Sequence, residues 1–191
     1  MTAKTRHSSL LATWAAVSLL AATRLDAQQT KTVRVRVQPE QQRMLAPEFS
    51  LKDATGKTVR LSAYRGQVVL LDFWATACGG CVEEIPAFVE IARAYSGRGL
   101  ATVGVSEDIV YEDLKGPEEA WSRVKPFVRD HKMRYAVLMG DDQVTAVYGI
   151  QALPVTYLLD TRGRIAATYV GVVDRANLEA NINVLLGELK K

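Results

Sequence analysis

The passage from Val68 to Tyr95 constrains this chain most. A dense apolar run, Val68 to Trp74, is interrupted only by Asp72 and leads through Ala75-Thr76-Ala77 to Cys78-Gly79-Gly80-Cys81. A run this apolar reads as a central strand buried on both faces. From Cys81 to Tyr95, Ile85, Phe88, Val89 and Ala92 recur at helical spacing, and Gly97 and Gly99 end the pattern. A buried strand therefore delivers the chain to a tight turn, and a helix starts at two cysteines. Unpaired backbone N–H groups and the positive end of the helix dipole then face the first sulfur. Both favour thiolate over thiol, and the thiolate is the form that attacks a disulfide. A spacing of three sets Cys81 beside Cys78 on one helix face, close enough to close a disulfide. Cys78 is the expected nucleophile and Cys81 the expected resolving thiol.

These are the only two cysteines in 191 residues. A loop this small gains little stability from closure, so reactivity explains the pair better than a structural staple does. Half a zinc site is the competing reading. Zinc takes four ligands as a rule, and the sequence offers only His7 and His131 besides the cysteines and carboxylates. No metal and no cofactor are expected.

The rest of the chain alternates. Phe49 with Leu51, a turn at Asp53 to Lys57, and Thr58 to Leu61 read as a hairpin. Leu100 to Ser106 reads as a second central strand, and Tyr135 to Met139 as a short one. Val155 to Asp160 and Ile165 to Val170 are strands joined by a turn at Thr161-Arg162-Gly163. Helices are predicted over Glu118 to His131, Gln143 to Tyr148 and Ala176 to Leu189, with Pro126 expected to kink or divide the first. Trp121 and Phe127 are read as core, and Asp141 as a helix cap. The acidic stretch Glu107 to Glu119 is read as an exposed loop. This order predicts a mixed α/β sheet with helices on both faces.

The N-terminus reads as an address. Lys4, Arg6 and His7 precede an apolar run from Leu10 to Ala22, and Leu25-Asp26-Ala27 offers a cleavage site. This is the layout of a signal peptide over residues 1–27. The apolar run falls short of the roughly 20 residues of a membrane-spanning helix. An uncleaved N-terminal membrane anchor is the alternative. The leader would take three of the 24 basic and one of the 21 acidic residues, leaving a net charge of +1 in place of +3. No nucleic-acid footprint is left. Residues 28–46 are read as a linker or short N-terminal extension, with Val33, Val35 and Val37 as a short strand and Gln38 to Arg43 as linker. The domain is placed at 47–191.

The segment Asp72 to Cys81 resembles the thioredoxin active-site segment. More broadly, Ala46-Pro47-Glu48-Phe49 through Leu189 resembles the TlpA/ResA-type exported thioredoxins. The landmarks are Gly66, Trp74, the cysteine pair, Glu84 with Pro86, Val103-Gly104-Val105, Gly149, Leu153-Pro154, and Asp160 with Gly163. The resemblance implies a thioredoxin fold with an N-terminal β-hairpin and a mid-domain insertion. It also implies a periplasmic or membrane-tethered thiol reductase, in some relatives serving cytochrome c maturation or metal-centre assembly. Leu153-Pro154 matches the family's cis-proline, where the backbone faces the sulfurs and pairs with substrate. Trp74 and Gly79 complete the implied substrate-binding set. Asp72 matches the buried acid of thioredoxin and Glu84 a family acid near the buried sulfur. Burial raises a carboxyl pKa toward working pH, so either could take the proton of Cys81. Two departures stand out: Ala77 replaces the usual tryptophan, and Gly79-Gly80 replaces Gly-Pro.

The expected activity is reduction of disulfides in exported proteins, with electrons from a membrane thiol donor. An oxidase or isomerase would use the same residues in reverse. A peroxiredoxin-like peroxidase would want threonine and proline where Ala75 and Leu71 stand. A non-catalytic module binding a metal or haem-protein partner would not need Cys78.

Overall fold

A computed structural model describes residues 1–2 and 31–189. The expected leader falls, apart from its first two residues, outside the described residues. Among the described residues, no helix is long and apolar enough to cross a membrane.

The sheet is built outward from β3 (Val68–Trp74), in which every residue is buried. β4 (Leu100–Ser106) lies parallel on one side of it and β6 (Val155–Leu159) antiparallel on the other. β5 (Ala136–Met139) extends the sheet in parallel beyond β4, and β7 (Ile165–Val170) follows β6 in a hairpin. A hairpin of β1 (Ser50–Asp53) and β2 (Thr58–Arg60) closes the far edge through β1 on β5. The order is β2-β1-β5-β4-β3-β6-β7.

Side chains alternate across a strand. Val68 and Leu70 of β3 pack with Phe88 and Ile91 of α1 (Gly79–Ala94) and with Leu178, Ile182 and Leu185 of α5 (Arg175–Glu188). Val69, Leu71 and Phe73 face the other side, toward Phe49, Leu61 and α4 (Asp142–Val147). Trp74 falls on the α1 side, under α3 (Pro117–Asp130), in a third cluster with Cys78, Cys81, Ile85 and Val124. Trp121 and Phe127 are partly buried against this cluster. By the same alternation Asp72 lies inward on the α1 face. The insertion between β4 and β5 comprises α2 (Asp108–Tyr111) and α3.

The structure corrects three expectations. Pro126 does not divide α3, which is one helix. It sits on the exposed side of the helix, away from the core-facing Ala120 and Val124. The acidic stretch is not an exposed loop at its start: Glu107 and Asp108 are buried, because hydroxyls of Thr145, Thr76 and Ser106 meet their carboxylates. Gln38 to Arg43 is not a free linker. It contains a 3-10 turn at Glu40–Gln42, and the buried Arg43 guanidinium binds both Glu188 oxygens at 2.7 and 2.8 Å and Asp160 at 3.3 Å. Ahead of it, Val33 makes a parallel bridge to Val173. Asp141 caps α4 through the Val144 N–H, as expected.

Arg43 therefore ties the N-terminal segment to α5 and to the β6–β7 turn. Removing one partner of a buried ion pair strands the others, although Glu188 is partly solvated. Arg43→Ala is expected to lower stability by about 2 kcal/mol, read as a fall in thermal midpoint with the far-ultraviolet spectrum unchanged below the transition.

Candidate active site

β3 and β4 both end at one rim of the sheet, the place where parallel strands present their sites. The loop leaving β3 is held there by Asp108, whose carboxylate accepts hydrogen bonds from the backbone N–H and hydroxyl of Thr76 and from the Ser106 hydroxyl. The Glu107 N–H donates to the Trp74 carbonyl at 2.7 Å. The loop hands the chain to α1 with Cys78 as the N-cap residue.

Cys78 and Cys81 form a disulfide, with an S–S distance of 2.09 Å and Cα atoms 5.3 Å apart. The Cys78 sulfur accepts the backbone N–H of Cys81 at 3.2 Å, one of the donors a helix leaves free in its first turn. The pair is asymmetric: Cys78 keeps 3% of its surface and Cys81 none. Both cysteines are thus buried, and Cys78, at the end of the loop leaving β3, is the one that keeps some surface.

The Leu153–Pro154 peptide is cis. Pro154 lies against the redox turn, since a Cβ on Gly80 would sit 3.3 Å from its Cδ and 3.1 Å from Cγ2 of Val172. Gly80 is therefore the one of the two glycines whose lack of a side chain the packing uses. Gly79 has open space around it and is exposed. Leu153 is half-buried next to the same rim. Trp74 does not join this surface. It is fully enclosed, stacked on Phe127 with ring centroids 5.2 Å apart, and offers nothing to a substrate. Its place in the expected substrate-binding set is corrected: alternation along β3 turns it inward beneath α3.

Both acids are buried, Asp72 on β3 and Glu84 on α1 three residues after Cys81. Asp72 is fully buried, accepts the Thr156 hydroxyl at 3.3 Å, and its other oxygen makes no hydrogen bond within the protein. Glu84 keeps 4% of its surface, accepts the Val173 N–H at 2.9 Å, and also has one oxygen unbonded. Burial pushes Asp72 up to about 7. Burial, and then the neighbouring Asp72 charge, pushes Glu84 up to about 9. Tyr135, whose hydroxyl is buried without a hydrogen bond, is raised by burial and by both carboxyls. Among the described residues, no group of three or more His, Cys, Asp or Glu is placed to hold a metal.

Sequence reasoning missed Asp108, Val173 and Tyr135. Asp108 carried a readable signal, a polar residue at the C-terminal end of a central strand. Val173 acts through its backbone and has none.

A redox disulfide at a helix N-terminus, faced by a cis-proline on a thioredoxin fold, defines a thiol–disulfide oxidoreductase. Residues 43–168 match the AhpC/TSA family model, and the chain belongs to that family. It is 30% identical over 139 residues to the thioredoxin-like protein YneN of Bacillus subtilis, covering 73% of this chain and 77% of that one. It is 29% identical over 137 residues to the thiol-disulfide oxidoreductase ResA of Geobacillus thermodenitrificans, covering 72% and 74%. The fold matches a thiol:disulfide interchange protein of the thioredoxin family from Chlorobium tepidum, with a TM-score of 0.65 at 22% identity over 76% of this chain and 97% of that one.

The two carboxyls carry a linkage. Burial in the fold favours the protonated form of both, whereas the unfolded chain releases those protons near pH 4. Their folded pKa values are raised, so their contribution is complete below about pH 4 and is lost as pH climbs through 7 and toward 9. The oxidised protein should lose about 2 kcal/mol or more between pH 5 and 9. Glu84→Gln should flatten that fall in denaturant titrations, and an unchanged slope would count against a protonated Glu84.

Proposed function

We propose that this protein reduces disulfides of exported proteins by dithiol exchange through Cys78 and Cys81, and that a membrane thiol donor restores its dithiol. The observation that carries this reading is the disulfide at the N-terminus of α1, with Cys78 as the N-cap residue and Cys81 fully enclosed. In the forward cycle the Cys78 thiolate attacks one sulfur of the substrate disulfide. A mixed disulfide forms and the substrate's other sulfur leaves as thiolate. Cys81 gives its proton to Glu84 in its ionised form, and the resulting thiolate attacks the Cys78 sulfur. The Cys78–Cys81 bond closes and the second substrate thiolate departs. Two electrons have passed from the dithiol to the substrate.

The half-buried Leu153, set by the cis bond to the buried Pro154, and the exposed Gly79 border the surface on which the substrate polypeptide lies. The sequence layout of residues 1–27 supports export, with or without retention of the leader as an anchor. The ResA name of a relative supports thiol–disulfide exchange, and service to cytochrome c maturation is the narrower form of this proposal. The same residues run in reverse would make an oxidase, so direction is a matter of potential.

Equilibration in defined thiol buffers measures it. A value near thioredoxin's, about −270 mV or lower, is expected. A value near DsbA's, about −120 mV, would make the protein an oxidant of exported proteins instead. In the same preparations Cys81→Ser should accumulate a mixed disulfide with a model substrate such as insulin, Cys78→Ser should form none, and the unaltered protein should not turn over hydrogen peroxide.

A further inference from the structure

The segment Gly171 to Asp174, between β7 and α5, meets the redox site at several points. The Gly171 N–H donates to the Pro154 carbonyl at 2.9 Å. The Val172 side chain lies against Gly80. The Val173 N–H donates to Glu84 at 2.9 Å. The opposite edge of this segment is not paired within the sheet. It is taken by the chain ahead of the domain: the Val33 N–H donates to the Val172 carbonyl at 2.7 Å, and the Asp174 N–H donates to the Val33 carbonyl at 2.9 Å. Two residues on, the Val35 N–H reaches Asn177 Oδ1 at 2.9 Å, and Asn181 Nδ2 donates to the Val35 carbonyl at 3.0 Å. Val33, Val35 and Val37 pack on the core beneath α5.

Successive N–H groups of an extended segment point to opposite sides. Whatever fixes Val172 and Asp174 from one edge therefore aims Val173 at the other. We propose that the Val33–Val35 strap is a positioning element of the redox site: by pairing with Val172 and Asp174 it holds the Val173 N–H on Glu84 and the Val172 side chain against the redox turn.

Glu84 also lines a shallow surface cleft whose other walls include Thr32, Val172 and Ala176, so the strap borders Glu84's route to solvent. The groups that face Glu84 are Asp72 from β3, Tyr135 ahead of β5 and Glu83 on its own helix, with Asp174 and Arg175 at the cleft. In the oxidised protein, the strap is the one contributor among these that lies outside the domain predicted from sequence.

The proposal rests on Glu84 as the proton acceptor for Cys81, and the test separates the two. Full-length protein is reduced, and its rate of insulin reduction is followed from pH 5 to 10. Val33→Pro removes the donor to Val172. A looser Val173 N–H stabilises the Glu84 carboxylate less, so the inflection assigned to Glu84 moves to higher pH and the rate at pH 7 falls roughly three- to tenfold. Arg36→Ala, an exposed change on the same strap, leaves the profile in place. Glu84→Gln removes the inflection, and adding Val33→Pro to it produces no further shift.

A folded Val33→Pro protein with the unaltered inflection, alongside a Glu84→Gln protein that has lost it, overturns the strap proposal and leaves Glu84 standing. If Glu84→Gln keeps the inflection, both readings fall. Should Val33→Pro melt early, the double variant Asn177→Ala with Asn181→Ala, which removes both side-chain bonds to Val35, is scored in the same way: a shift to higher pH supports the strap, and an unmoved inflection overturns it.

Discussion

Everything in this molecule is arranged around the burial of β3. A strand buried on both faces and paired on both edges leaves no freedom in where it ends. That fixes the position of Cys78 relative to the sheet. β4 and β6 satisfy its backbone from either side, and α1 covers it only because the chain turns back at the cysteines. The redox turn is thus the unavoidable reversal that lets the central strand acquire its cover. The helix N-terminus it creates points unpaired donors at the first sulfur as a consequence of the same geometry.

The price of that arrangement is visible inside. Asp72 interrupts the most apolar strand of the protein, and Glu84 occupies an inward position of α1 among Ile85 and Phe88. Each has one oxygen bonded and one not. Isolated carboxylates in such surroundings are strongly disfavoured, so the affinity of both groups for a proton rises. Replacing both with apolar residues would improve the core. Their retention in a site otherwise built to be dry is a departure from good packing, of the kind that functional sites tolerate.

Most of the fold was legible because its signals are local. The β3–turn–α1 passage, the β6–β7 hairpin and the closing helix each announce themselves by period and turn residues, and both cysteines could be placed from the segment that contains them, whereas Pro154 is placed by family resemblance alone. The failures involve partners remote in the chain. Arg43 meets Glu188 across 145 positions, so nothing local to Gln38 to Arg43 distinguishes it from linker. The family resemblance implies Trp74 on the substrate surface, although alternation turns it the same way as Leu70. What covers that face is α3, from the insertion, and nothing local to Trp74 foretells it. Glu107 and Asp108 were read as solvated because a carboxylate does not reveal which hydroxyl awaits it.

The two acids were left undivided by sequence, and their surroundings separate them. Enclosing Cys81 keeps foreign disulfides away from the resolving sulfur, but it also removes water as the acceptor of its proton. The acceptor must then be internal, and it must be able to pass the proton outward before the next cycle. Asp72 is sealed completely and touches Thr156. Glu84 lies on the wall of a cleft open to solvent and is held by a backbone N–H that favours its ionised form. In the proposed cycle Glu84 is therefore the group that exchanges protons with Cys81 and with water. Asp72 acts on it at a distance, since its charge raises the proton affinity of Glu84 and its own protonation relaxes that pull.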